Sequence, residues 1–388
     1  MEMPATTNTI ARPRTHDAAL AKLQTEAGAN FGVWFGYSLP SDFGNPEAEY
    51  RFAKQNVVLL DKNYRAYLSF TGPDRVRYLN AILTNNIKDL TMGQGTISLL
   101  LNPQGHILAE LETYAFADRH LCVSYAMIRE QLIQWMDKYI IMDDVILTDE
   151  TDRWGTLALE GPKAADIVKD LTNIDLQPLS ELASLDANII GRHPDIGGHP
   201  ERSEGSQLSI PCRIVKRSPG GVSGAEFVVA RDELAPLWQI LLDASRKHGG
   251  GPAGYTALSG QRLSQGVPWF GYDFGEKQIP HEAGLENSHI SYTKGCYTGQ
   301  EIVERVRSRG HVNRRRVSLL FSGDAVPEVG AALTTADGKE AGYVTRAGRI
   351  WDPPRLIGMG YVRKDAEMPG ATLQWSGGTA TVIDKLKN

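Results

Sequence analysis

Beyond Arg316 the chain never returns to a helical repeat. Val317 to Phe321, Leu356 to Val362, Ala371 to Trp375 and Ala380 to Ile383 are short β-type runs, and Ala336-Asp-Gly and Ser376-Gly-Gly punctuate this region as turns. Strands this short and evenly spaced bury an apolar face only by closing into a small barrel or stacking as a sandwich. Upstream, the two periods alternate. Tyr67 to Phe70 reads as a strand ending at Gly72-Pro73, and Asp74 is placed to cap a helix carrying Val76, Leu79 and Leu83. Gly95 to Tyr114 reads as a hairpin turning at Asn102 to Gly105, followed by a strand over His120 to Ser124 and a helix over Ile128 to Tyr139. Arg213 to Ala230 returns to strand alternation, and Asp232 to His248 to a helix. Adjacent hairpins with interspersed helices predict an α+β architecture on largely antiparallel sheets. Residues 191–207, rich in His, Pro, Gly, Glu and Ser, are expected to form an insertion loop outside any core.

Composition narrows the function classes. A length of 388 residues suggests two or three domains. With 41% hydrophobic and 22% charged residues, the chain has the usage of a globular protein. A formal charge of -5 argues against a wholly basic nucleic-acid coat. Cys122, Cys212 and Cys296 are too few and too scattered for a disulfide framework or a thiolate metal site. The nine His show no ligand spacing either, so no metal is expected. No apolar run approaches the roughly 18 residues of a membrane span. Met1 to Arg14 lacks the apolar stretch of a secretory signal, so a cytoplasmic protein without membrane attachment is expected.

The stretch richest in chemistry is Lys294-Gly-Cys-Tyr-Thr-Gly-Gln-Glu301. Gly295 and Gly299 bracket the Cys296-Tyr297 pair, and a helical pattern of Ile302, Val303 and Val306 follows Gln300. A thiol just before a helix start, beside Lys294, is a candidate thiolate. A small residue packed under a turn is the competing reading.

This octapeptide resembles the signature of the YgfZ family of folate-binding proteins, relatives of the glycine-cleavage T-protein (aminomethyltransferase). Phe70-Thr-Gly-Pro-Asp-Arg, Leu83-Thr-Asn-Asn-Ile, Leu101-Asn-Pro-Gln-Gly-His-Ile-Leu, Leu157-Ala-Leu-Glu-Gly-Pro-Lys-Ala and Ile279-Pro-His-Glu-Ala-Gly-Leu resemble further segments of the family. The resemblance implies an α+β, multi-domain ring around a channel for tetrahydrofolate or a one-carbon derivative of it. Its expected parts are a flexible tail and short helix over 1–29, a folate-binding domain over 30–152, a second domain holding the signature over 153–310, and a C-terminal β-barrel over 311–388.

Residue roles follow from the same resemblance. Where the T-protein hairpin carries an Asp-Asp pair that includes its essential acid, this chain has Ala109 and Glu110. Side chains alternate along a strand, so one of the two faces the channel, and alternation alone allows either. Arg262-Leu-Ser keeps a family arginine and Glu226 matches a family glutamate, while Tyr125 replaces an Asn. Arg262, Glu226, Tyr125 and Trp269 are therefore the expected folate contacts, offering a cation, an acceptor and stacking rings. Cys296, Lys294 and Glu110 are the expected catalytic groups. From Arg305 through Arg307, Arg309, Arg314, Arg315 and Arg316, an arginine cluster could attract a polyglutamyl folate tail, RNA or an acidic partner.

The function this implies is a tetrahydrofolate-binding accessory protein for iron–sulfur cluster assembly or repair in client proteins, with Cys296 as its working thiol. Two rivals stand beside it. One is a folate-dependent aminomethyltransferase, and the other an RNA-interaction module using the arginine cluster.

Overall fold

The computed structural model describes residues 17–192, 207–310 and 312–384. A first, five-stranded sheet is antiparallel throughout, in the order Gly95–Leu101, Ile107–Ala115, His120–Tyr125, Arg65–Thr71, Ile146–Asp149. Its hairpin turns at Asn102, whose side-chain oxygen accepts the His106 N–H. Alternation gives the sheet two unlike faces. Leu68, Phe70, Ala109, Leu111 and Cys122 pack under the helices Arg75–Ile82 and Arg129–Asp137, against Leu79, Ile82, Leu132 and Met136. The opposite face carries Arg65, Tyr67, Glu110, Glu112, Tyr114 and Tyr125. Asp74 does not cap the first of these helices. Its carboxylate accepts the Asp144 N–H at 2.9 Å instead, fastening the helix start to the segment that leads into the last strand.

A second sheet runs Ser184–Arg192, Gln207–Lys216, Gly224–Ala230, Trp154–Glu160, Val58–Asp61, Gly251–Pro252, antiparallel except for its last pair. The helices Ala164–Thr172 and Leu234–Lys247 cover one face, burying Ile167, Val168, Leu237, Trp238 and Leu241 against Leu157, Leu159, Ile210 and Phe227. The helix Ala18–Glu26 adds Leu20 to the same core, and Asp17 starts it by accepting the N–H groups of Ala19 and Leu20. Val58–Asp61 thus belongs to the second sheet, although the sequence boundary at 152 puts it in the first domain. The first two strands form a hairpin around the expected insertion, of which residues 193–206 lie outside the described part.

The uncovered faces of the two sheets turn toward each other. Leu182 and Val215 meet Tyr67, Tyr114, Leu121 and Val123, and the Tyr67 hydroxyl is hydrogen-bonded to Thr156. The β-only tail forms a closed six-stranded barrel, Arg314–Phe321, Pro354–Arg363, Glu340–Trp351, Ala332–Thr334, Thr372–Trp375, Gly378–Ile383. Leu319, Val344, Val362, Leu373 and Val382 fill it. Closure removes the exposed edges that strands this short would otherwise present. The barrel leans on the helix Tyr255–Ser264 through Ile350, Ile357 and Met359. Among the described residues, no helix is long and apolar enough to cross a membrane.

Candidate active site

Between the facing sheets runs a buried chain of alternating charges. Arg262 pairs with Glu160, and Glu160 accepts Lys62 at 2.8 Å. Lys62 reaches Glu226 at 3.2 Å, and Glu226 accepts Arg65 at 2.5 Å. Arg65 continues to Glu112 at 3.1 Å, which also takes Arg217 at 3.0 Å. Charges removed from water persist only when paired in this way. Burial alone would raise these carboxyls. Arg65 and Arg217 nevertheless hold Glu112 down at about 2, and Arg262 and Lys62 do the same for Glu160 at about 2. Arg65 Nε has no partner among the described residues. That side chain lines a cavity of about 20 Å³ with Tyr67, Glu112, Tyr114 and Glu226, room for about one water.

Beside the charges stands an aromatic cluster. At its centre Phe35, 2% exposed, lies 4.3 Å from Tyr64, 5.4 Å from Tyr125, 5.3 Å from Trp269 and 5.1 Å from Tyr272, between ring centroids. Its backbone is left-handed, φ 51°, which is rare for a bulky side chain, and its N–H donates to the Tyr272 hydroxyl at 3.2 Å. The Arg346 guanidinium, paired with Asp273 at 2.6 Å, lies 4.1 Å from the Trp269 ring centre. The Tyr255 hydroxyl donates to the Asp61 carbonyl at 2.7 Å, next to Lys62. Of the four expected folate contacts, Arg262 and Glu226 therefore lie in the charge chain, while Tyr125 and Trp269 lie in the aromatic cluster. The two groups adjoin at the segment carrying Lys62, Tyr64 and Arg65.

Glu110 occupies the corner of this centre. Ala109 points into the helix-covered core, so the carboxylate is the group on the open face. One Glu110 oxygen accepts the Tyr125 hydroxyl at 3.0 Å, and the other lies 3.0 Å from His289 Nε2. His289 Nδ1 is in turn 2.7 Å from Ser288 Oγ. Burial, reinforced by the Glu110 charge, pushes the Tyr125 phenol well up, so it stays a neutral donor.

The octapeptide lies elsewhere and has a different task. The Lys294 amine donates to the carbonyls of Asn80, Leu83 and Asn85 at 2.5–3.0 Å, sealing the end of the helix Arg75–Ile82. Burial brings its pKa down to about 8. Tyr297 is buried with Leu99, Leu101, Ile107 and Val303. Gly299, at φ 81°, lies against the hairpin turn so closely that a Cβ there would come within 2.7 Å of the Asn102 carbonyl. A Cβ at Gly295 would meet nothing within 4 Å. Gln300 begins the helix Gln300–Arg309, and Glu301 is exposed and pairs with Arg305 at 2.9 Å. The signature thus packs on the first sheet, not in the second domain where the sequence placed it. Cys296 is exposed on this loop, and the Lys294 charge beside it is committed to the helix end.

The arginine cluster is dispersed and largely neutralised. Arg305 pairs with Glu301, and Arg307 stacks on Tyr292 at 4.2 Å and lies 3.6 Å from Glu304. Arg314 binds Glu282 at 3.1 Å, and Arg316 donates to the Ala283 carbonyl at 2.9 Å. The Arg309 side chain and His311 lie outside the described residues. Among the described residues, nothing presents the continuous cationic stripe that a nucleic-acid backbone requires. Among the described residues no cluster of three or more His, Cys, Asp or Glu could hold a metal.

Sequence reasoning missed Lys62, Arg65, Glu160, Phe35 and the role of His289. A signal existed for the first two. Asp61-Lys-Asn-Tyr-Arg65 is a polar island between the apolar runs Val57 to Leu60 and Ala66 to Phe70. His289 shares the lack of metal-ligand spacing of the other histidines, and its partners are a carboxylate and its neighbour's hydroxyl.

Facing sheets with helices outside, charged and aromatic groups between them, and a barrel closing the far side define a multi-domain α+β protein with a central polar site. The chain belongs to the GCVT N-terminal domain family, which it matches over residues 20–192 and 198–290. It is 25% identical over 355 residues to the aminomethyltransferase of Streptomyces avermitilis, covering 91% of this chain and 90% of that one. The aminomethyltransferase of Lysinibacillus sphaericus is 26% identical over 334 residues, 85% of either chain. The fold matches the crystal structure of the glycine cleavage system aminomethyltransferase T from Bartonella henselae with a TM-score of 0.81 at 22% identity, covering 95% of this chain and 96% of that one. These relatives overturn the expectation of an iron–sulfur accessory protein with Cys296 as its working thiol. The Streptomyces avermitilis and Lysinibacillus sphaericus relatives align along 91% and 85% of the chain and are aminomethyltransferases, and neither iron–sulfur clients nor RNA find support.

Proposed function

We propose that the chain is a folate-dependent aminomethyltransferase, with tetrahydrofolate as the acceptor of the carbon unit. The observation that carries this reading is the Glu110 corner, a carboxylate on the open sheet face held by a neutral phenol and an imidazole. Breaking the C–N bond of an aminomethyl donor releases an amine, and that amine must gain a proton as it leaves. A positioned carboxyl group contributes about a hundredfold or more to such a step. Glu112 and Glu160 are held at about 2 by their cations. The acid–base role is assigned to Glu110 on its geometry, a carboxylate bonded to a phenol and an imidazole and, among the described residues, to no arginine or lysine.

The surrounding side chains fit a folate in kind. Tyr125 and Trp269 offer aromatic faces to a pteridine, Glu226 offers an acceptor to its amino group, and Arg262 and the unpartnered Arg65 Nε offer donors. Phe35, which touches both Tyr125 and Trp269, is the ring to be displaced on entry. A bound tetrahydrofolate supplies the nucleophilic nitrogen that takes up the carbon. The Tyr125 hydroxyl meanwhile keeps the Glu110 carboxylate in place. Three free thiols accord with a reducing cytoplasmic setting, which forms part of this proposal.

Calorimetric titration with tetrahydrofolate and its 5-formyl analogue tests the reading, together with ammonia release from an aminomethyl-thiol donor. Saturable binding weakened in Arg262→Ala, and folate-dependent ammonia release, are the expected results. No binding at millimolar ligand would overturn it.

A further inference from the structure

Resting on that reading, we propose that His289 and Ser288 form the proton route between Glu110 and solvent. His289 is 6% exposed and is fixed from several sides. Its backbone carbonyl accepts the Thr84 hydroxyl at 2.6 Å, and its N–H donates to Leu285 O at 3.0 Å. The imidazole is thereby held edge-on between two polar groups, with Nε2 3.0 Å from the Glu110 carboxylate and Nδ1 2.7 Å from Ser288 Oγ. Ser288 is exposed. One edge of the ring thus touches the acid–base group and the other touches the hydroxyl of an exposed serine, which also lies 3.4 Å from the Leu285 carbonyl.

A substrate that needs the Glu110 proton lies against the carboxyl group and excludes water there, so the reset comes from the far side. In the reprotonation step the Ser288 hydroxyl gives its proton to Nδ1 and takes one from water, while Nε2 gives its proton to Glu110. One proton enters through Ser288 and one reaches Glu110, no electrons move, and the imidazole is left as the Nδ1–H tautomer. Glu110 then gives its proton to the leaving amine and takes up the one that the folate nitrogen sheds on bonding to carbon. It passes that proton to Nε2 while Nδ1 returns one through Ser288 to water, which restores the Nε2–H tautomer. Imidazole suits this exchange because its ordinary pKa lies near neutrality. The charged and titratable groups around the ring are Glu110 from the strand Ile107–Ala115, the neutral Tyr125 beside it, and Lys294 one layer out. The Lys294 amine bonds Asn85 O, and the Asn85 side chain donates to the Ser288 carbonyl at 3.4 Å. His289 acts through Glu110 and is a positioning residue.

His289→Gln keeps an amide donor near Glu110 but cannot relay a proton. The expected result is an unchanged melting temperature and unchanged tetrahydrofolate affinity. Transfer should slow about tenfold or more, the pH–rate profile should change shape, and added imidazole should restore part of the rate. Ser288→Ala should slow transfer less. A wild-type rate and pH profile in His289→Gln would overturn the route, as would a loss that imidazole does not restore and that accompanies lost folate binding. A second measurement needs no turnover. In protein carrying 15N-histidine, the His289 resonance, assigned by its absence in His289→Gln, should titrate at a lower pH in Glu110→Gln than in the wild type. An unchanged midpoint would overturn the proposal. Absent transfer in the wild type would sink the aminomethyltransferase reading, while this titration would still judge the pairing.

Discussion

Glu110 and Glu112 sit two residues apart on one strand and on the same face, yet they occupy opposite chemical worlds. Glu112 is buried between Arg65 at 3.1 Å and Arg217 at 3.0 Å. Glu110 meets a phenol and an imidazole, each at 3.0 Å. Permanent cations lock a carboxylate into its ionised form and make it structural. A phenol and an imidazole impose no such lock on Glu110. The difference lies in partners contributed by distant segments, since strand position and residue type are shared.

The largest expected effect breaks the locked side. Arg65→Met removes the cation shared by Glu112 and Glu226. It should cost about 3–5 kcal/mol in urea unfolding, because it strands buried charge. Glu110→Gln should do the reverse, cutting transfer about a hundredfold or more while the unfolding midpoint barely moves. If the two variants behaved alike, the contrast between the glutamates would fail.

Acid titration sharpens the same contrast. Glu112 and Glu160 are held at about 2, against an ordinary value of 4.5. As pH falls, the unfolded chain takes up protons first, so the stability they confer is complete above 4.5 and drains away toward 2. Thermal melts between pH 6 and pH 2.5 should show that decline, with a shallower slope in Glu112→Gln.

The smaller effects concern the octapeptide. Lys294→Met should cost about 1–3 kcal/mol by leaving three carbonyls without their donor. Cys296→Ala should alter both stability and transfer negligibly, within about 0.5 kcal/mol for unfolding. A large loss of transfer in Cys296→Ala would restore a chemical role to the thiol.

Much of the fold was legible because it rests on local pattern. The hairpin turning at Asn102 and the β-only tail both declare themselves through periodicity and turn residues. Assignment of Val58–Asp61 to the second sheet was not legible, since four buried residues in a row carry no sign of which strand they pair with. The site was half legible. Residue types at Arg262, Glu226, Tyr125 and Trp269 were readable, but whether Ala109 or Glu110 faces the centre depends on which face the helices cover. Cys296 misled for a related reason, because a reactive-looking neighbourhood in sequence became a capping contact once Lys294 folded away from it. Partners more than a hundred residues apart, such as Arg65 with Glu226, leave no trace in a single chain's pattern.

The Lys294 amine also sets an order of events during synthesis. Asn80, Leu83 and Asn85 leave the ribosome well before it, the separations being 214, 211 and 209 residues. At ordinary elongation rates that interval is on the order of 10 to 40 s. Throughout that interval the nascent first sheet waits with one helix end unsealed. A chain halted before residue 294 would therefore keep those three carbonyls without their amine donor.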